Sequence, residues 1–362
     1  MLGRLALLLL LAAAAAMAVP ATTKNATRKS KYHREPVDCV RRASSEGGFP
    51  ALDPEDQWSR GLQVPGSLVI GGGSLIQNST VFQRILQLAE AAADDGEARI
   101  VFFPTNGGGQ YSTPEQREQS LSSFVNTAGW ADLPIPVVLV HTYDPEEANT
   151  PEFWEPLTTA TGVYFAGGLS FRSYDAYFGT ATQTALEGVI ARGGVFGGSS
   201  AGALMQPNVM CRADRSSDNS IVLGEPSEGF GFGGMDNIVV DVHWLMRNRA
   251  YDLVEVINAN PDLLGLSIDE NTAVVMVGDE IEVVGTGWVG VYDTTLWQDT
   301  SYCGNFNLYA PRVTRPLVPA QGKVFFLGGE IRSGSADRYN VRTREVILND
   351  GELEDWSTEE EV

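Results

Sequence analysis

Short apolar runs alternate with amphipathic stretches from Gly66 to Met205, and this alternation predicts strands joined by helical crossovers. Apolar runs bounded by glycine or proline place strands at Ser67–Gly71, Arg99–Phe103, Pro136–His141, Gly162–Phe165 and Val195–Gly197. Helical patterns lie between them at Thr80–Ala92, Pro114–Asn126, Pro151–Thr158 and Tyr174–Ala191, each long enough for a right-handed crossover. The expected product is an α/β fold built on a doubly wound, mostly parallel sheet. Further on, the pattern gives a helix near Ser200–Met205, a glycine-rich loop at Gly229–Gly234, a helix over Arg247–Asn258, and strands at Gly265–Ile268 and Ala273–Val277. Shorter alternating runs across 280–330 read as C-terminal antiparallel strands.

The two ends depart from this pattern. Residues 1–18 carry one early charge, Arg4, then the apolar run Leu5–Ala16 and an Ala16-Met17-Ala18 sequence suited to signal peptidase. The run is short for a membrane span, so the expectation is a cleaved signal peptide, a secreted or extracytoplasmic product and no membrane contact after cleavage. Residues 19–60 are polar without periodicity and read as a linker or pro-segment. That leaves a domain over 61–335, folded from near Gly66, and a C-terminal extension over 336–362 whose Glu352–Glu361 stretch is an acidic tail.

Composition narrows the function classes. A formal charge of -21 over 362 residues argues against a nucleic-acid backbone as partner, which requires a clustered basic face. Lysine occurs only at Lys24, Lys29, Lys31 and Lys323, which removes phosphate loops and Schiff-base lysines from the central body. With histidine confined to His33, His141 and His243, a multi-histidine metal site is not expected, and neither is a cofactor. Cys39, Cys211 and Cys303 form no CxxC pair; one disulfide and one free thiol is the expectation, with the pairing open.

Chemistry enters at Val195–Met205, where Gly198 and Gly202 flank Ser200 in a GxSxG frame between a strand-like and a helix-like run. A serine on so sharp a turn projects its hydroxyl beyond the sheet, and the backbone NH of Ala201 points at the same reacting carbonyl. The base is expected at His243, the only histidine beyond the elbow, with His141 as the remaining candidate. A carboxylate that orients the imidazole is to be found among Asp241, Asp269 and Glu270. Gly71–Gly73 and Ala166–Gly168 fall at strand ends and should share the crevice.

Five ordered blocks carry a resemblance: SLVIGGG, FAGG, GGSSAGA, DVHWLMRNRAYDL and LGLSIDENTAVV, spanning roughly residues 66–277. Together they resemble the serine peptidases that include peptidase E (aspartyl dipeptidase) and cyanophycinase, and are closer to cyanophycinase. The resemblance implies a class I glutamine amidotransferase-like (flavodoxin-like) fold, Ser200 as nucleophile, His243 as base and Glu270 as its orienting acid. It also implies an oxyanion hole from the amides of Gly168 and Ala201, and substrate contacts at Ser170, Asp241, Arg247 and Arg249. Departures fall around the substrate: Leu169-Ser170 and Val242 stand where glutamine is usual, and Asp252 where a third arginine is common.

The expected activity is hydrolysis of aspartyl or β-aspartyl peptide bonds through an acyl-enzyme. Its partner is a peptide substrate, and a homodimer stays open. Two alternatives remain: an α/β-hydrolase-type esterase, whose acid would precede the histidine at Asp218 or Asp236, and an inactive peptide-binding homologue.

Overall fold

The computed structural model describes residues 59–109, 111–212, 227–249, 252–259, 263–292, 324–328, 338–342 and 346–347. The run Ser67–Gly71 forms β1, buried along its whole length because it lies mid-sheet. It is followed by β2 (Ile100–Phe103), β3 (Val137–Leu139), β4 (Gly162–Phe165) and β5 (Val195–Ser199), which pair in parallel in the spatial order β1-β5-β4-β2-β3. The chain then starts a second sheet with β6 (Val209–Met210), β7 (Ser227–Glu228), β8 (Ile238–Val242) and β9 (Leu264–Ile268). It returns to the first sheet for β10 (Thr272–Val277) and β11 (Glu280–Gly285), and to the second for β12 (Trp288–Tyr292) and β13 (Val324–Gly328). The strands β14 (Arg338–Asn340) and β15 (Val346–Ile347) complete the first. Among the described residues the sheets hold nine and six strands.

Eight helices connect these strands among the described residues: α1 (Thr80–Ala91), α2 (Pro114–Ala128), α3 (Pro145–Ala148), α4 (Pro151–Trp154), α5 (Ser170–Tyr177), α6 (Ala181–Ala191), α7 (Ala201–Leu204) and α8 (Asp252–Ala259). Local sequence explains their ends. Ser79 caps α1; α2 begins with a Thr113/Gln116 capping box and Pro114, and ends on Gly129 at φ 77°. Strand alternation then makes layers. Val69, Ile100, Phe102 and Tyr164 pack on the α1 and α2 side, while Leu68, Ile70, Phe103 and Phe165 face α5, α6 and the second sheet.

Several expectations are corrected. The predicted helix Tyr174–Ala191 is two helices, because Phe178 is extended and Gly179 takes φ 74°; α5 also starts earlier, at Ser170. Pro151–Thr158 divides into α4 and a 3-10 turn, Glu155–Thr158. The helix expected from Arg247 begins at Asp252, since His243–Arg249 closes as a turn in which the Arg249 amide bonds the Trp244 carbonyl at 2.8 Å. The N-terminal boundary also moves. Arg60 bridges to Asp236 and Leu62 is buried, so the fold begins before Gly66.

The supposed extension over 336–362 supplies β14 and β15 to the main sheet. Cys211 is a buried free thiol; Cys39 and Cys303, like the leader and acidic tail, lie outside the described residues. No helix among the described residues is long and apolar enough to cross a membrane. Tyr339 is fully buried on β14. Tyr339→Ala is therefore expected to destabilise the domain by about 3–4 kcal/mol, read as a shift of the denaturant midpoint; an unchanged midpoint would show that β14 is dispensable.

Candidate active site

The strand β1 runs out into Gly71-Gly72-Gly73, and each of these carbonyls accepts a backbone amide from a different part of the chain. Gly71 takes that of Ser200 at 2.9 Å, Gly72 that of His243 at 2.8 Å and Gly73 that of Asn271 at 2.8 Å. Side chains are excluded here. A Cβ at Gly72 would lie 2.0 Å from the Asp269 carbonyl oxygen, and one at Gly73 would lie 2.1 Å from His243 Cε1.

Ser200 follows β5 at φ 54° and ψ −115°, a conformation that L-residues rarely adopt and that costs on the order of 1–3 kcal/mol. The flanking glycines permit it. A Cβ at Gly198 would meet the Gly202 carbonyl oxygen at 2.2 Å, and one at Gly202 would meet that of Phe165 at 2.4 Å. His243, also at positive φ (57°), stands just past β8, and Glu270 lies where the chain passes from β9 in one sheet to β10 in the other. Three elements thus converge. Ser200 Oγ is 2.9 Å from His243 Nε2, and His243 Nδ1 is 2.7 Å from Glu270 Oε1. Asp269 is oriented differently: its Oδ1 accepts the amides of Glu270 (2.9 Å) and Met246 (3.3 Å) and so secures the loop.

Burial pushes the His243 imidazole below its ordinary pKa; the hydrogen bond to Glu270 opposes this and the Arg247 charge adds to it. The imidazole is therefore neutral at neutral pH and able to accept a proton. Burial alone would raise the Glu270 carboxyl, but hydrogen bonds from His243 and Ser74, with the Arg247 charge, hold it below the usual range. It stays ionised beside the imidazole.

A serine on a strained elbow, hydrogen-bonded to a neutral histidine that is oriented by a carboxylate, is arranged for nucleophilic attack. The model of Peptidase family S51 matches residues 68–284, a span that contains Ser200, His243 and Glu270. The chain belongs to peptidase family S51.

This S51 chain is 30% identical over 208 residues to the cyanophycinase of Synechococcus elongatus, covering 56% of this chain and 60% of that protein. It is 27% identical over 282 residues to the cyanophycinase of Geminocystis herdmanii (strain PCC 6308), covering 77% and 95%. Against the Synechococcus protein the match thus spans less than two thirds of the relative's length. A solved peptidase structure from an acI-B1 Actinobacterium shares the fold with a TM-score of 0.51 at 22% identity, over 66% of this chain and 93% of that one.

All but one of the remaining expected site residues of this S51 chain gather around the serine. Gly168, Ser170, Arg247 and Arg249 line a small pocket together with Ser200 and His243. The amide of Ala201 opens α7, where a first-turn NH has no acceptor within the helix. Gly168 takes φ 139°, and a Cβ on it would lie 2.0 Å from the Asn106 carbonyl oxygen. Asp241 is corrected as a substrate contact: it is fully buried, with Arg212 Nε at 2.5 Å from Oδ1 and Arg212 Nη2 at 2.9 Å from Oδ2.

The alternatives are placed elsewhere. His141 bonds Thr105 Oγ1 through Nδ1 at 2.9 Å, packs between Tyr111 and Tyr143, and is held down to about 4 by burial and then by Arg117. Asp236 is engaged by Asn208 and Arg60, and Asp218 lies outside the described residues.

Two residues escaped sequence reasoning. Arg212 lines the small pocket and is clasped by Asp241 and Asp252, so the aspartate standing in place of an arginine has an arginine partner from another strand end. Asn106 secures the turn before α5: its carbonyl accepts the Leu169 amide (2.9 Å) and Arg172 Nη1 (2.9 Å), and its Nδ2 donates to the Ala166 carbonyl (3.0 Å). A polar residue beside glycines just after a strand was its only sequence signal.

Arg247 Nε lies 3.6 Å from Glu270 Oε1, and its charge depresses the imidazole pKa. Arg247→Ala should therefore raise the His243 pKa. Since a protonated imidazole cannot take the serine proton, the acid limb of kcat/KM and the NMR titration of the imidazole both move to higher pH. A shift to lower pH would contradict this electrostatic assignment.

Proposed function

We propose that the protein is a serine-type peptidase that hydrolyses aspartyl or β-aspartyl peptide bonds through Ser200, His243 and Glu270. The observation that carries the proposal is the continuous Ser200–His243–Glu270 hydrogen-bond chain, built on a strained turn. His243 Nε2 takes the Ser200 proton as Oγ attacks the carbonyl carbon. The resulting oxyanion is held by the Gly168 and Ala201 amides, and collapse expels the amine, which His243 protonates. Water then attacks the acyl-enzyme with His243 again as base, releasing the acid and restoring Ser200.

The acidic part of the substrate is assigned to the pocket lined by Arg212, Arg247 and Arg249, cations gathered beside Ser200 in a chain of net charge -21. Ser170 opens α5 on its wall. Arg212 is held closely by both Asp241 and Asp252, whereas Arg249 stands 3.9 Å from Asp241 and Arg247 3.6 Å from Glu270, so the gripping charge is assigned to the more loosely paired Arg247 and Arg249. The fold is read as class I glutamine amidotransferase-like: numbered from β2, the parallel strands follow the flavodoxin order 2-1-3-4, and β1 takes the fifth place. Export of the enzyme rests on the leader pattern of residues 1–18.

Purified wild-type protein is expected to hydrolyse Asp-X or β-Asp-X peptides and to be labelled by a fluorophosphonate, and Ser200→Ala to lose both. Glu270→Gln should lower kcat by about a thousandfold or more while circular dichroism confirms folding. Full activity in Ser200→Ala would remove the nucleophile. Full activity in Glu270→Gln would remove the orienting acid and revive the esterase reading.

A further inference from the structure

A second cavity opens on Ser200, a cleft of about 620 Å³, within the range that holds small-molecule ligands. It shares only Ser200 with the arginine pocket. Its position follows from topology. The helix α2, which leaves β2, packs on one face of the sheet, and α5 and α6, which connect β4 to β5, pack on the other, so the crevice between the ends of β2 and β4 is a topological switch point. Pro104 and Gly107 beyond β2, with Ala166 and Gly167 beyond β4, line the cleft there. Gly167 keeps the passage to the serine open: a Cβ on it would lie 3.2 Å from the Cβ of Ser200.

The lining has a distinct chemistry. Phe102 stacks on Phe124 at 4.1 Å and Phe124 on Tyr164 at 5.0 Å, with Phe82 beside them, which makes an aromatic floor. Ser199, the residue before the nucleophile, turns its hydroxyl to the Tyr164 phenol. The helix α2 adds a neutral polar rim that includes Gln119 and Ser123. None of the lining residues described is Asp, Glu, Lys, Arg or His. A lysine or arginine side chain entering here would find no carboxylate among the lining residues, and an acidic one no cation among them, so charge of either sign would be desolvated with only neutral groups around it.

We infer that this cleft is the subsite for the leaving-group side of the scissile bond, and that it selects a large uncharged residue there, aromatic or aliphatic. The inference rests on the peptidase reading, in which the arginine pocket holds the aspartyl part and Ser200 stands between the two.

The test is a series of Asp-X and β-Asp-X dipeptides with X as Phe, Leu, Lys or Glu, given to the full chain and to Gln119→Glu, an exposed position on α2. The expected kcat/KM for Phe and Leu exceeds that for Lys and Glu by at least about tenfold, and Gln119→Glu shifts the Lys/Phe ratio toward Lys. Hydrolysis with no preference, or a preference that Gln119→Glu leaves unmoved, overturns the cleft assignment while the peptidase reading stands.

If nothing is hydrolysed, the same dipeptides are titrated by calorimetry into Ser200→Ala with and without Gln119→Glu. Tighter binding of the Phe peptide, shifted toward Lys by the added carboxylate, upholds the cleft while the catalytic reading falls. Equal binding or none overturns the cleft as well.

Discussion

Three consecutive peptide carbonyls, those of Gly71, Gly72 and Gly73, hold the site together. They receive the amides of Ser200, His243 and Asn271, so one strand end fixes the elbow, the imidazole and the residue after the carboxylate in a single frame. Each bond contributes only on the order of 1 kcal/mol net, and the weight of the arrangement is geometric. The Ser200–His243 and His243–Glu270 distances depend on where three backbone segments lie, and β1, buried in the middle of the larger sheet, is a rigid reference for all three. The absence of side chains is what lets them approach. The Asp269 carbonyl occupies the space of a Cβ on Gly72, and the His243 ring that of a Cβ on Gly73.

Rigidity is needed because the site is strained. Ser200 and His243 both sit at positive φ, at a cost of roughly 1–3 kcal/mol each, which must be offset by packing elsewhere. The offset is visible in the strands behind them: β5 and β8 are buried at every position, β5 in the larger sheet with Val195 on the α1 and α2 side and Phe196 on the other, and β8 inside the second sheet. Beneath the pocket, Asp241 leaves the end of β8 fully buried and clasps Arg212, which also reaches Asp252 at the start of α8. Such a network ties the segment before His243 to the segment after Arg249, so the turn that carries Arg247 and Arg249 is anchored at both ends.

Sequence reading recovered what is locally encoded. The GxSxG frame follows from steric exclusion at two glycines, and the parallel strands follow from apolar runs punctuated by glycine and proline; both are properties of a few adjacent residues. Partnership between strands is not such a property. The expected strands Gly265–Ile268 and Ala273–Val277 are consecutive in the chain, yet β9 and β10 enter different sheets, and Glu270 lies in the short connection between them, where it meets the imidazole. The break at Phe178-Gly179 was hidden because apolar periodicity continues across it from α5 into α6. Arg247 and Arg249 fell outside their expected helix because backbone bonds from Arg247 to His243 and from Arg249 to Trp244 close a turn first. Arg212 stands 29 positions from its partner Asp241 and carries no motif, so only folding reveals it as part of the pocket.

Charge around the imidazole is deliberately opposed. Glu270 favours the protonated form of His243, while burial and the charges of Arg247 and Arg249 disfavour it. The balance falls toward the neutral base, which is ready to accept the serine proton but poorly disposed to keep it. On the peptidase reading, an acidic substrate placed against the arginines cancels part of their field on the imidazole without touching Glu270. The imidazolium that must form during attack is then opposed by burial and a weakened arginine field, and supported by the carboxylate at 2.7 Å. Binding of the acidic group and proton transfer are thereby coupled through the same two arginines: a peptide lacking that charge would reach Ser200 with the arginine field still opposing its base, and would lose rate as well as affinity.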